Sequence, residues 1–147
     1  MTATLRRTPC VGICSTTYGD LVCRGCKRFA HEIDQWNGFA DDQRLLVWER
    51  LYKLREGALL AHARIVDHDR LSERAETLKV PDRESLSPAN LAYEVIRRLP
   101  RERDFTVLGV DPREGAISAG DLYQRVEAEL YRRAVAQYER DFHVSTG

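Results

Sequence analysis

The stretch that decides the reading is Thr8-Pro9-Cys10-Val11-Gly12-Ile13-Cys14, followed eight residues later by Cys23-Arg24-Gly25-Cys26-Lys27-Arg28. Its four cysteines form a C-x3-C-x8-C-x2-C array, and the rest of the 147-residue chain contains none. Clustering of this kind needs a chemical cause. Disulfides are the default for short exported chains, whereas thiols in a reducing compartment serve metal ligation or thiol chemistry. Metal ligation is the first expectation, because soft thiolates bring their own negative charge and four sulfurs close a tetrahedral site with no position open to substrate. A centre built from Cys10, Cys14, Cys23 and Cys26 is then structural or electron-carrying, not hydrolytic. The x3 and x8 gaps fit neither the bacterial nor the plant-type ferredoxin spacing, so a zinc ion and an iron–sulfur cluster both stay open. A redox dithiol at Cys23 and Cys26 is the competing reading.

Working outward, Ser15 to Val22 place β-favouring residues around Gly19-Asp20, which predicts a tiny hairpin that brings Cys14 and Cys23 together. Gly12 and Gly25 each sit between the two cysteines of a pair, where a missing side chain lets the backbone turn tightly and aim N–H groups at sulfur. Phe29, Ile33 and Trp36 have helical spacing, so the last ligand falls near a helix start, whose partial positive charge favours thiolate. On this geometry the arrangement is a miniature treble-clef-like knuckle that leans to zinc, the metal standing in for a core that some 30 residues cannot build.

These residues, continued by Glu32-Ile33, Trp36, Gln43-Arg44 and Leu51, are also recognisable. The segment from about residue 8 to residue 55 resembles the bacterial domain of unknown function 1289 family, whose members are often labelled predicted iron–sulfur proteins. The resemblance implies a metal-ligand role for Cys10, Cys14, Cys23 and Cys26 and raises iron–sulfur to stand level with zinc. It brings no established activity, and it departs from the usual pattern at Lys27, Phe39 and Ala40.

Beyond the cysteines, Asp41 or Asp42 can cap a second helix in which Leu45, Trp48 and Tyr52 share a face, with Val47, Leu51 and Leu54 beside it. Trp36 and Trp48 are expected to meet there. Helical pattern resumes after Gly57 through Leu59, Leu60, Ile65, Val66, Leu71 and Leu78. Residues 79–90, with two prolines and two serines, read as a linker. Ser87-Pro88 then opens a helix carrying Leu91, Val95, Ile96 and Leu99. A β-type run, Phe105 to Val110, follows, with Ala116 to Ser118 as a possible strand partner. Asp121 can cap a last helix whose stripe is Leu122, Val126, Leu130, Ala134, Tyr138 and Phe142. The expected fold is mainly α with a small β-hairpin. Its parts are a four-cysteine metal-binding domain at 8–56, a connecting helix at 57–78, the 79–90 linker, and a small α+β unit with a long C-terminal helix at 91–147.

Composition sets the function classes. With 31% charged residues, 8% aromatic and no apolar run near the roughly 20 residues that span a bilayer, a membrane-embedded chain is excluded. Arg6 and Arg7 lead only into a short, broken apolar run, unlike an export signal, so a cytoplasmic location is expected. Lysine and arginine balance aspartate and glutamate at 23 each, yet residues 1–30 hold five bases against one acid. That local surplus suits compensation of an anionic thiolate centre better than a nucleic-acid surface, because residues 101–147 hold seven bases against nine acids. No catalytic residue is assigned. His31-Glu32 lacks the second histidine of a helical zinc-protease pattern, and His62 and His68, with Asp67 and Asp69, sit at an offset that does not share a helix face. The expected function is therefore a metal-binding structural or interaction module, with a protein partner engaged through the C-terminal helix. An iron–sulfur accessory that carries electrons or senses redox state for a larger enzyme is the alternative.

Overall fold

The computed structural model describes residues 8–10 and 14–142. In chain order these residues form a 3-10 turn (Ser15–Tyr18), α1 (Ala30–Gln35), a second 3-10 turn (Trp36–Gly38), α2 (Asp41–His62), β1 (Ala63–Ile65) and α3 (His68–Thr77). A 3-10 turn (Arg83–Ser85), α4 (Pro88–Arg98), a 3-10 turn (Phe105–Leu108), β2 (Val110–Pro112) and α5 (Ala119–Phe142) complete the order. The chain is thus mainly helical with a small two-stranded antiparallel sheet, as its patterning predicts. Two compact units emerge, Met1–Leu54 with Leu130–Gly147, and Arg55–Glu129. Both boundaries fall inside helices, and residues 79–90, expected as a linker, lie wholly within the second unit.

In the first unit, Trp36, Val47, Trp48 and Leu51 are buried together, with Phe39 and Tyr52 against them, so the two tryptophans meet as expected. A second cluster joins Val22 and Phe29 to Ala134, with Leu54, Tyr131, Val135 and Tyr138 packed on it. The last turns of α5 therefore finish the core of the cysteine-bearing segment. Helix α2 starts at Asp41 itself, which corrects the expected cap. Gln43 Oε1 accepts from the Ala40 N–H at 2.8 Å, while Asp41 and Asp42 stand in the first turn, where the helix dipole favours them. Gly57 does not interrupt α2, since a mid-helix glycine costs only about 1 kcal/mol against the bonds on either side.

In the second unit the expected helix over 57–78 is broken by β1, which pairs with β2 in the register Ala63↔Pro112, Arg64↔Asp111 and Ile65↔Val110. The carbonyl of Gly109 accepts from the Val66 and Asp67 N–H groups, and Asp67 then caps α3 by accepting from Arg70 N at 3.2 Å. Gly109 is required there. Its φ is +70°, and a Cβ would lie 2.1 Å from the Asp67 carbonyl oxygen. The run from Phe105 is a 3-10 turn capped by Asp104 instead of a strand, and Ser118 is spent on α5 instead of pairing in a sheet. Ser118 and Asp121 bond reciprocally, each side chain accepting the other's N–H at 3.1 Å, so Ser118 is the cap and Asp121 its partner. Ser87 caps α4 as predicted, accepting from Asn90 N. Leu59, Leu71, Val80, Val95, Ile96, Leu108, Leu122 and Val126 are buried completely. Along the α5 stripe Leu122, Val126, Leu130 and Ala134 are at most 2% exposed, whereas Phe142 at its end is 44% exposed.

Candidate metal centre

The x8 segment folds differently from the expected hairpin. Ser15 to Tyr18 wind into a 3-10 turn closed by Gly19 at φ +100°, and only an isolated antiparallel bridge, Val22 to Phe29, gives β pairing. The reason lies in the threonines. Thr16 Oγ1 sits 2.9 Å from the Cys14 sulfur, and a tight turn is what brings that hydroxyl back to a residue two positions away. The Thr16 hydroxyl, with support from the Thr17 hydroxyl and the Thr16 N–H, holds the Cys14 thiol below its usual range despite an opposing desolvation.

Cys23 to Arg28 form the second turn. The Cys23 N–H donates to the Arg28 carbonyl and the Lys27 N–H to the Cys23 carbonyl, both at 2.9 Å, and Lys27 takes a left-handed φ of +66°. Lys27 Nζ donates to the Gly25 carbonyl at 2.9 Å. Burial pushes the Cys23 thiol up, but the N–H groups of Cys26, Ser15 and Gly25 and a bond from the Cys26 side chain pull it down further, so the net shift is downward. At Cys26 burial wins. Its thiol is pushed up even though Arg28 donates through Nε at 3.3 Å and through its N–H.

Cys23 and Cys26 are therefore adjacent, and Cys14 lies within electrostatic reach of Cys23. Cys10 is exposed, its N–H donating to Thr8 Oγ1 at 3.2 Å; Gly12 lies outside the described residues. None of the four cysteines is in a disulfide. Among the described residues no three histidine, cysteine or acidic side chains are gathered as a ready metal site.

Residues 8–55 match the family described as Protein of unknown function (DUF1289). That match covers about a third of the chain and ends where the first unit's N-terminal part ends. No curated protein and no solved structure matches the chain. The residues that carry the DUF1289 resemblance have visible tasks here. Glu32, 7% exposed, accepts from the Phe29 N–H at 2.8 Å, which caps α1, and also pairs with Arg50. Trp36 lies under two guanidiniums, Arg28 at 5.0 Å and Arg44 at 5.8 Å, and its carbonyl accepts from Arg44 Nε at 3.1 Å. Gln43 closes the start of α2, and Leu51 is core.

Sequence reasoning counted the nearby bases as a general surplus and missed the separate places of those among the described residues. Arg24 bonds Asp20 and lies over Tyr131, whereas Arg28, 3% exposed, reaches the Cys26 sulfur and Arg50 lies over Phe29. The signal available was the placement of Arg28 two residues past the last cysteine. Away from this segment, the second unit seats His62 against Glu114, Nδ1 to Oε1 at 2.8 Å, with Glu129 3.7 Å from Nε2. His62 does not join Asp67, which is committed to capping α3. No helix among the described residues is long and apolar enough to cross a membrane.

Proposed function

We propose that the DUF1289 segment is a four-cysteine metal-binding module in which Cys10, Cys14, Cys23 and Cys26 hold one zinc ion or one iron–sulfur cluster, and that the protein serves a structural, interaction or accessory role without catalysis of its own. The observation that supports this most is a polar group at hydrogen-bond distance from each of two sulfurs, the Thr16 hydroxyl 2.9 Å from Cys14 and Arg28 Nε 3.3 Å from Cys26, with Cys23 buried in the same turn as Cys26. Such donors lower the cost of holding thiolates, and they suit a thiophilic metal better than a hard oxygen-seeking one. Bound there, zinc would supply folding free energy, and a cluster would supply an electron-carrying centre. A protein partner, engaged through the C-terminal helix, and a cytoplasmic setting belong to the same reading.

Metal analysis and the visible spectrum of anaerobically isolated full chain test the proposal. One equivalent of zinc with no visible absorbance gives the structural form. Iron with acid-labile sulfide and a brown colour gives the electron-carrying form, for which the same N–H···S bonds would set the reduction potential. Protein that holds neither metal after reconstitution, with four freely alkylated thiols, overturns the reading in favour of a thiol function at Cys23 and Cys26.

A further inference from the structure

We propose that Arg28 is a positioning residue of the cysteine centre, a buried guanidinium that holds the Cys26 sulfur through an N–H···S bond and adds a fixed positive charge beside the anionic ligand set. The inference rests on the metal-binding reading above and extends it from the ligands to the group that orients one of them. Burying a full charge is costly unless it is paired and hydrogen-bonded, and Arg28 is only 3% exposed. Its surroundings account for that burial. Nε faces the Cys26 sulfur at 3.3 Å, the backbone carbonyl takes the Cys23 N–H at 2.9 Å, and the guanidinium lies 5.0 Å from the centre of the Trp36 ring. One residue thus touches both cysteines of the second pair, one through its backbone and the other through its side chain.

The neighbours show why this position calls for arginine. A planar guanidinium can lie over an aromatic ring and donate from its edge, whereas an ammonium is a point charge on a flexible stem. Trp36 is itself held from Arg44, whose Nε and Nη2 donate to the carbonyls of Trp36 and Asn37 at 3.1 and 3.2 Å. The Trp36 ring is buried with Val47, Trp48 and Leu51, so the Arg28 head is seated on a ring that packing holds in place. Four thiolates on a divalent ion leave about two net negative charges, which a buried cation in contact with one sulfur offsets at short range in a poorly screened site.

Anaerobic titration of the full chain with Co²⁺ tests this, because thiolate-to-cobalt charge-transfer absorption reports on sulfur directly. Arg28→Ala is expected to weaken Co²⁺ binding about 10- to 100-fold and to move the charge-transfer band to lower energy, since a sulfur relieved of a donor gives up charge more readily. Arg28→Lys should recover part of the affinity, and Arg24→Ala, at an exposed base, should leave both readouts at the wild-type value. Should Arg28→Ala fail to fold, Arg28→Gln is read in the same way. Wild-type affinity together with an unmoved band in a folded Arg28 variant overturns the role of Arg28. A wild-type chain that takes up no Co²⁺ and assembles no iron–sulfur cluster on reconstitution overturns instead the metal-binding reading, and this inference with it.

Discussion

The two units bury different chemistry. Arg55–Glu129 is packed mainly with aliphatic side chains, its fully buried set running through Leu59, Leu71, Val80, Val95, Ile96, Leu108, Leu122 and Val126, with Arg55 and Asn90 among its buried polar groups. The cysteine-bearing unit buries Lys27, Arg28 and Glu32 beside Cys23 and Cys26, around two modest clusters of aromatics with valine, leucine and alanine. In the former, apolar burial at about 25 cal/mol per Å² acts through many aliphatic side chains. The latter spends part of its interior on charges, which stabilise only when every partner is present. The cysteine-bearing unit thus buries more charge beside its apolar clusters than the other.

The widest separation between the two should come from the sulfurs. Chelation of the metal-loaded chain, or Cys23→Ser, is expected to remove several kcal/mol from the first unit and nearly nothing from the second. Hydrogen exchange resolved along the chain checks this, with protection lost before residue 54 and kept in α4; equal loss in both would erase the contrast. Next in size, Glu32→Ala takes away the cap of α1 and leaves the half-buried Arg50 guanidinium without its carboxylate, at a cost of about 3 kcal/mol. Denaturant unfolding measures it, and a loss below about 1 kcal/mol would mean the pair behaves as a surface one.

A smaller effect belongs to the second unit. Ser118→Ala removes one half of the reciprocal cap on α5 and should lower stability by about 1 kcal/mol. The least change is expected from acid. Hydrogen bonding from His62 holds the Glu114 carboxyl below its usual range, bonding from Thr106 does so for Asp104, and bonding from Ser118 for Asp121. A depressed folded-state value means that the unfolded chain binds more protons, so this contribution is fully present above the ordinary carboxylate range and is lost as pH falls through the lowered values. Melting followed from pH 6 downward should show the second unit losing stability below about pH 4, the ordinary carboxylate range. A second unit that gains stability on acidification would contradict the assignment.

Much of the helical framework was legible because its signals are local. Ser87-Pro88 starts α4, and a periodic stripe from Leu122 to Ala134 marks α5. Trp36 and Trp48 could be paired from spacing alone. What misled were segments whose β propensity is overridden by one specific bond. Thr16 and Thr17 look like strand residues but serve the Cys14 sulfur from a 3-10 turn, and Phe105 to Leu108 follow the Asp104 cap. The partner of β2 was missed because β1 stands almost fifty residues earlier, inside what reads as a continuous helical pattern.

The amino-acid order alone determined the helical class, the cysteine spacing and the ends of helices that carry their own caps, because propensity, periodicity and capping act over a few residues. Tertiary structure decided the rest. It set which strand pairs with β2, turned the α5 stripe inward, and divided the bases near the cysteines so that Arg24 faces Asp20 while Arg28 is buried against Cys26. Those outcomes depend on burial and on contacts between residues distant in the chain or on opposite sides of a turn, where desolvation and the geometry of the donor, rather than residue type, determine what a side chain does.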